Sequence, residues 1–220
     1  MAGPVDRGIY LASRSPRRRE LLSQIGVRYH LLLFRERGET GGSRTEVDET
    51  PLAGELADAY VERLARAKAQ LGWQRMQQRN LPAAPVLAAD TTVSLRGEIF
   101  GKPESREDAA RMLAALSDTT HEVLTGIALK HGERLESALS RSEVRFKPLS
   151  PAEIRDYVAT GEADDKAGAY AIQGRAARFI VELRGSYSGV MGLPLYETAL
   201  LLERIAVPER AQPSVAARRA

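Results

Sequence analysis

The chain has 220 residues, 43% of them hydrophobic, which is enough to bury a full core and excludes a disordered polypeptide. No apolar run approaches the roughly 18 residues of a membrane span, and the start MAGPVDRGIY lacks the basic and apolar regions of a secretory signal, so a cytoplasmic protein is expected. There is no cysteine, so disulfides, thiol nucleophiles and Cys-ligated zinc are excluded, and the net charge of +3 is small.

In chain order, residues 1–8 read as an N-terminal tail and Ile9–Ala12 as an apolar strand. A Ser-Arg-Ser turn leads into a helix over Pro16–Ile25, with Ser15 as N-cap and Pro16 as first helical residue. Arg17 and Arg18 fall in its first turn, where the helix dipole disfavours cations. Either they bend into solvent, or they converge with serine hydroxyls and backbone N–H groups on a bound anion such as phosphate. Arg28–Phe34 reads as a second strand, Arg35–Thr50 as a polar loop, and Leu52–Arg79 as a long helix.

On a helical wheel Leu56, Tyr60, Val61, Leu64 and Leu71 share one apolar arc, and Lys68 falls inside it. Lys68 either snorkels out along its stem or points into a cleft beside the core. Val86–Ala89 is an apolar strand that ends at Asp90, a position for a general base or metal ligand, or for a simple turn residue. Glu49, just before the long helix, reads as a helix-dipole partner.

Thr92–Phe100 predicts a hairpin turning at Arg96-Gly97, and Ser105 caps a helix to Leu116. His121–Lys130 and Leu135–Lys147 form a second hairpin, and the capping box SPAE (Ser150–Glu153) opens a helix that stops near Gly161. Glycines crowd 166–192 around a β-like run at Phe179–Leu183, and Pro194 opens a last helix to Ile205. Residues 206–220 read as a flexible basic tail that carries +2 of the +3.

Lys102, between Gly101 and Pro103, suits a phosphate contact or an ordinary turn. Gln173, in the loop Asp165–Gly174, can both donate and accept, as a base-edge reader must, or can belong to a surface loop. Three histidines (His30, His121, His131) stand singly, without metal-ligand spacing, so any metal is expected to be Mg²⁺ or Mn²⁺ on carboxylates. Only five of the 32 Lys and Arg residues are lysine, which ranks each lysine as a candidate for a compact point charge. Neither a GxxxxGK[ST] loop, nor GxGxxG after a strand, nor a GxSxG elbow is present.

Six strings, LASRSPRRRELL (Leu11–Leu22), LARAKAQ (Leu64–Gln70), AADTT (Ala88–Thr92), GKP (Gly101–Pro103), DKAGAYAIQG (Asp165–Gly174) and VMGLP (Val190–Pro194), together resemble the Maf family of nucleoside triphosphate pyrophosphatases. The resemblance runs from about Gly8 to Arg204. It implies an α/β fold with an elongated mixed sheet flanked by helices around a central cleft, similar to inosine triphosphate pyrophosphatases, and a single two-lobed catalytic domain over residues 9–205.

It implies hydrolysis of nucleoside triphosphates between the α and β phosphates with a divalent cation. Asp90 matches the proton acceptor, and Ser13, Arg18, Glu49, Lys68 and Lys102 match the polar set at the phosphate end, with Glu49 and Asp90 expected to hold the metal. Arg17, Thr91 and Gln173 match positions that track base preference. The Arg-Arg after SP, ADT, and DKAGAY…IQG resemble the subgroup acting on dTTP and UTP, while VDETP (Val47–Pro51) locally resembles the subgroup acting on 7-methyl-GTP. Ala171 stands where the dTTP/UTP subgroup often has glycine, and Arg35–Arg44 is longer than usual. A nucleotide substrate, no membrane, no specific nucleic acid and a homodimer are the expected partnerships. The competing readings are a pyrophosphatase for a modified or purine nucleotide and a non-enzymatic regulator that binds nucleic acid or protein through the Arg-rich tail.

Overall fold

The computed structural model describes residues 8–33 and 47–206. Phe34, most of the polar loop up to Glu46, the first seven residues and the tail after Ala206 lie outside the described residues. Seven strands form one mixed sheet: β1 (Ile9–Leu11), β2 (Tyr29–Leu31), β3 (Val86–Leu95), β4 (Glu98–Phe100), β5 (Thr120–His131), β6 (Arg134–Phe146) and β7 (Ile180–Arg184). Their order is β2-β1-β3-β5-β6-β7, with β4 on the free part of β3. The helices are α1 (Pro16–Gln24), α2 (Ala57–Gln78), α3 (Arg106–Leu116), α4 (Pro151–Val158), the short α5 (Tyr187–Val190) and α6 (Leu195–Ala206). This is the helix-flanked mixed α/β sheet expected.

β1 pairs in parallel with both β2 and β3, and the helical crossovers α1 and α2 supply the connections that parallel pairing requires. Every other pairing is antiparallel. α2 covers one sheet face, where Ala65, Ala69 and Met76 pack on Tyr10, Val86 and Ala88. α1 and α6 cover the other, through Leu21, Leu22 and Leu201 against Leu87, Ala89 and Ile127. A third cluster around Phe100, Leu113, Phe146, Tyr157 and Phe179 fills the end toward β4 and β7.

Three sequence expectations change. First, β3 does not end at Asp90 but runs on to Leu95, because β5 pairs with it without interruption from Val86↔Lys130 to Ser94↔Glu122. Asp90 is therefore mid-strand, opposite Gly126. Second, α2 begins at Ala57. Leu56 is its N-cap and is 67% exposed, outside the apolar stripe. Glu55 instead closes a turn on Leu52, which its carboxylate accepts from, with Gly54 at φ +70°. Third, the glycine-rich stretch holds 3-10 turns at Ala167–Ala169 and Arg175–Phe179 beside the expected strand.

The position of the site follows from one discontinuity at the edge of β3. β1 pairs with β3 at Val86 and Leu87, and β4 pairs with it from Val93 onward. Between them, at 88–92, that edge has no strand neighbour among the described residues, because the chain after β1 turns away through Ser13–Ser15 into α1. The mid-strand residues Asp90 and Thr91 sit in this gap.

Candidate active site

A cleft of about 750 Å³ opens at the gap. All nine candidate residues border it: Ser13, Arg17, Arg18, Glu49, Lys68, Asp90, Thr91, Lys102 and Gln173. They come from α1, the segment before α2, α2 itself, β3 and two loops, so the topology gathers positions up to 160 residues apart.

Asp90 is 8% exposed, and its Oδ1 accepts a hydrogen bond from Lys68 Nζ at 2.6 Å. Lys68 therefore does not snorkel. Its ammonium lies between two carboxylates, with Glu49 Oε1 at 2.5 Å. Burial pushes the Asp90 carboxyl above its ordinary range. Lys68 and Arg18 pull it back without reversing the shift, and Glu49 adds to it. Glu49 is also penalised by burial, but Lys68, Lys102 and Arg18 together hold it below the usual glutamate range. Tyr60 donates from its hydroxyl to the Glu49 carbonyl at 2.9 Å, and Arg63 donates to the Thr50 carbonyl at 3.2 Å while gripping Glu55. These contacts strap the Glu49 segment onto α2.

Arg18 turns inward rather than into solvent. Nε donates to the Gly192 carbonyl at 2.8 Å, Nη1 to Ser13 Oγ at 3.2 Å and Nη2 to Thr91 Oγ1 at 3.4 Å. All three acceptors are neutral, and two of its five N–H groups remain for an anion. Burial lowers its pKa, Asp90 opposes that, and Arg17 reinforces it. Arg17 is partly buried and likewise lowered by burial, with Glu20 opposing. No acidic residue stands in the first turn of α1 to balance these cations.

The opposite wall joins two of the sequence strings. Gly168 donates its N–H to the Gly101 carbonyl at 3.0 Å, which ties the 3-10 turn to the Lys102 loop. Its φ of +66° and the closeness of Val93, 2.7 Å from a Cβ built there, both require glycine. Gln173 is exposed at the cleft mouth. Its loop is held by Glu162, which accepts from Tyr157 Oη and from the Arg175 and Ala176 N–H groups.

Sequence reasoning missed Lys166, which also borders the cleft with its side chain 14% exposed beside Asp165. Burial lowers its pKa first, then Arg17, with Lys102 a smaller contributor of the same sign. The scarcity of lysine was the available signal, since three of the five lysines (Lys68, Lys102, Lys166) line this cleft. His121 is buried in β5 and bonded to Tyr170 Oη at 2.8 Å, away from the cleft lining.

The donor chemistry accommodates a hard divalent cation. Glu49 and Asp90 already converge on a single positive centre, and both offer oxygen ligands. Among the described residues no group of three or more His, Cys, Asp or Glu could hold a metal ion.

Fold and cleft thus define a class: a mixed α/β protein whose cleft is lined by arginines and lysines around a buried carboxylate. The profile of the family described as Maf-like protein matches residues 8–205, and the chain belongs to that family. It is 60% identical over 205 residues to a dTTP/UTP pyrophosphatase of Aromatoleum aromaticum, covering 93% of this chain and 98% of the relative. It is 55% identical to a dTTP/UTP pyrophosphatase of Dechloromonas aromatica (90% and 96% covered) and 52% identical to one of Nitrosomonas europaea (94% and 99% covered).

Proposed function

We propose that this chain hydrolyses dTTP and UTP to the monophosphate and pyrophosphate. The observation that carries the reading is the buried Asp90 carboxylate, bonded to Lys68, at the bottom of a cleft whose walls present Arg17, Arg18, Lys102 and Lys166. Family membership and the names of the relatives support it.

Arg18, Lys102 and Ser13 hold the triphosphate, and Lys166 faces it from the far wall. Asp90 orients a water and takes its proton as the water oxygen attacks the α phosphorus. The bond from that phosphorus to the α–β bridging oxygen breaks, and pyrophosphate leaves on that oxygen. The fixed cations stabilise charge accumulating on the departing phosphates without reorganising. Lys68 keeps Asp90 ionised and oriented. A divalent cation, Mg²⁺ or Mn²⁺, held by Glu49 and Asp90, supplies further neutralisation of the phosphate oxygens. Arg17, Thr91 and Gln173 border the same cleft and set the pyrimidine preference, Thr91 by way of Arg18. Residues 9–205 form the catalytic unit, which works in the cytoplasm, where its substrates are made, and as a homodimer, checked by solution mass. No helix among the described residues is long and apolar enough to cross a membrane.

Pyrophosphate release with Mg²⁺ or Mn²⁺ across dTTP, UTP, their 5-substituted analogues, 7-methyl-GTP and the common purine triphosphates tests this. The expected kcat/KM for dTTP and UTP exceeds that for purines by at least about tenfold, the scale on which base contacts discriminate. Equal turnover of 7-methyl-GTP or GTP overturns the pyrimidine assignment. Salt-sensitive RNA binding without hydrolysis establishes the regulator reading instead.

A further inference from the structure

Behind the cleft runs a closed circuit of hydrogen bonds. Arg18 Nη2 donates to Thr91 Oγ1 (3.4 Å), Thr91 Oγ1 lies 2.9 Å from Thr125 Oγ1, and Thr125 Oγ1 donates to the Gly189 carbonyl (2.8 Å). Three residues on, the Gly192 carbonyl accepts from Arg18 Nε (2.8 Å) and closes the circuit. Its directions are fixed by chemistry. Arginine only donates, and the single Thr125 proton goes to Gly189, so the Thr91 proton goes to Thr125. Thr91 therefore presents a lone pair to Arg18 and has no proton left for a nucleotide base. Thr125 is fully buried and does not border the cleft.

We propose that Thr125 is a positioning residue for polyphosphate binding: by taking the Thr91 proton and anchoring on Gly189, it locks the Arg18 guanidinium at the phosphate end of the cleft. The proposal rests on the reading of Arg18 as a phosphate contact. It makes Thr91 a buttress of Arg18, and any influence of Thr91 on base preference passes through that arginine or through a lone pair alone. Without the Thr125 hydroxyl, Thr91 is free to rotate its proton toward Arg18, where it repels the guanidinium instead of accepting from it.

The test uses full-length protein, inorganic tripolyphosphate as a base-free probe, and calorimetry in Mg²⁺. Thr125→Val keeps the shape of the side chain and weakens tripolyphosphate binding by about tenfold, the factor expected for losing one hydrogen bond to a charged group. Thr125→Ser restores it to within about twofold of the starting protein, the limit of independent-site scatter. In an Arg18→Lys background, Thr125→Val changes the affinity by less than about twofold, because the partner it acts through is gone.

A merely structural role predicts equal losses in both backgrounds, and that result overturns the proposal, as does undiminished binding by Thr125→Val. If Thr125→Val fails to fold, Thr91→Val cuts the same circuit at a partly exposed residue, and undiminished affinity there overturns the proposal. A chain that binds tripolyphosphate but hydrolyses neither dTTP nor UTP defeats the pyrimidine assignment and leaves this inference standing. Undiminished binding by Arg18→Lys defeats the reading of Arg18 and this inference with it.

Discussion

Asp90 carries its charge against the preference of its surroundings. Burial raises its pKa, and the Lys68 ion pair does not fully compensate. The sign for stability follows: a carboxyl whose pKa is raised in the fold costs stability when ionised, at pH values above that pKa. Asp90→Asn removes the cost while keeping the shape, so its melting temperature is expected to equal or exceed that of the unaltered protein. Turnover falls by at least about 10²-fold, the low end of what a positioned base contributes. A calorimetric melt and a pyrophosphate assay check both, and retained turnover removes Asp90 from the base role. The base must be deprotonated, so the acid limb of kcat/KM lies above the usual aspartate range. Lys68→Met deletes the largest influence that lowers the Asp90 pKa and moves that limb to higher pH. At this scale the sequence is informative where a residue violates its local pattern, as Lys68 does in an apolar arc and Asp90 does after four apolar residues. Thr125 violates nothing, being an ordinary strand residue whose role exists only through a partner 34 positions away.

At the scale of elements, two glycines let α2 lie close on the sheet. A Cβ on Gly72 would come 2.7 Å from Val86 Cγ1, and one on Gly126 would come 2.6 Å from the Val61 carbonyl oxygen. Gly126 sits directly opposite Asp90 in β5, so the spacing that admits α2 also sets how far Lys68 stands from its carboxylate. Gly126→Ala meets helix backbone, which cannot rotate away. Overpacking of this kind costs about 1–3 kcal/mol, and α2 must move to relieve it. The expected outcome is a lower denaturation midpoint together with a fall in kcat/KM larger than the stability loss explains. Undiminished activity in folded Gly126→Ala shows that the helix position does not tune the site. Local signals made other elements legible: the caps Ser15, Ser105 and Ser150, and the Arg96-Gly97 turn with both residues at positive φ. The extent of β3 was not, because a strand continues as far as its neighbours pair with it, and β5 lies about 30 residues downstream. The 3-10 turns were hidden for the same reason, since Gly168 is held by Gly101 and Glu162 by Tyr157.

Taken as a whole molecule, the chain sets its cationic cleft beside an aromatic cluster, which Tyr170 joins to the cleft wall. His121 packs edge-on against Phe146 and Tyr170, at centroid distances of 5.0 and 5.4 Å, and its Nδ1 has no hydrogen-bond partner. Burial alone drives its pKa from 6.5 down to about 4, so it is neutral in the folded protein at neutral pH. A histidine with a depressed folded pKa is protonated first in the unfolded chain. As pH falls below about 6.5 the unfolded state therefore gains protons that the fold does not, and stability declines until about pH 4, where both states are charged. The full effect is on the order of 3 kcal/mol. It is expressed in the cluster that carries Tyr170, a residue of the cleft wall, so acid loosens the site and the core together. His121→Gln retains an amide that can bond Tyr170 Oη but does not titrate between these limits. Urea denaturation of the two proteins from pH 7 to pH 4.5 is expected to give a shallower loss of stability for His121→Gln. Parallel curves assign the acid sensitivity to the carboxylates instead.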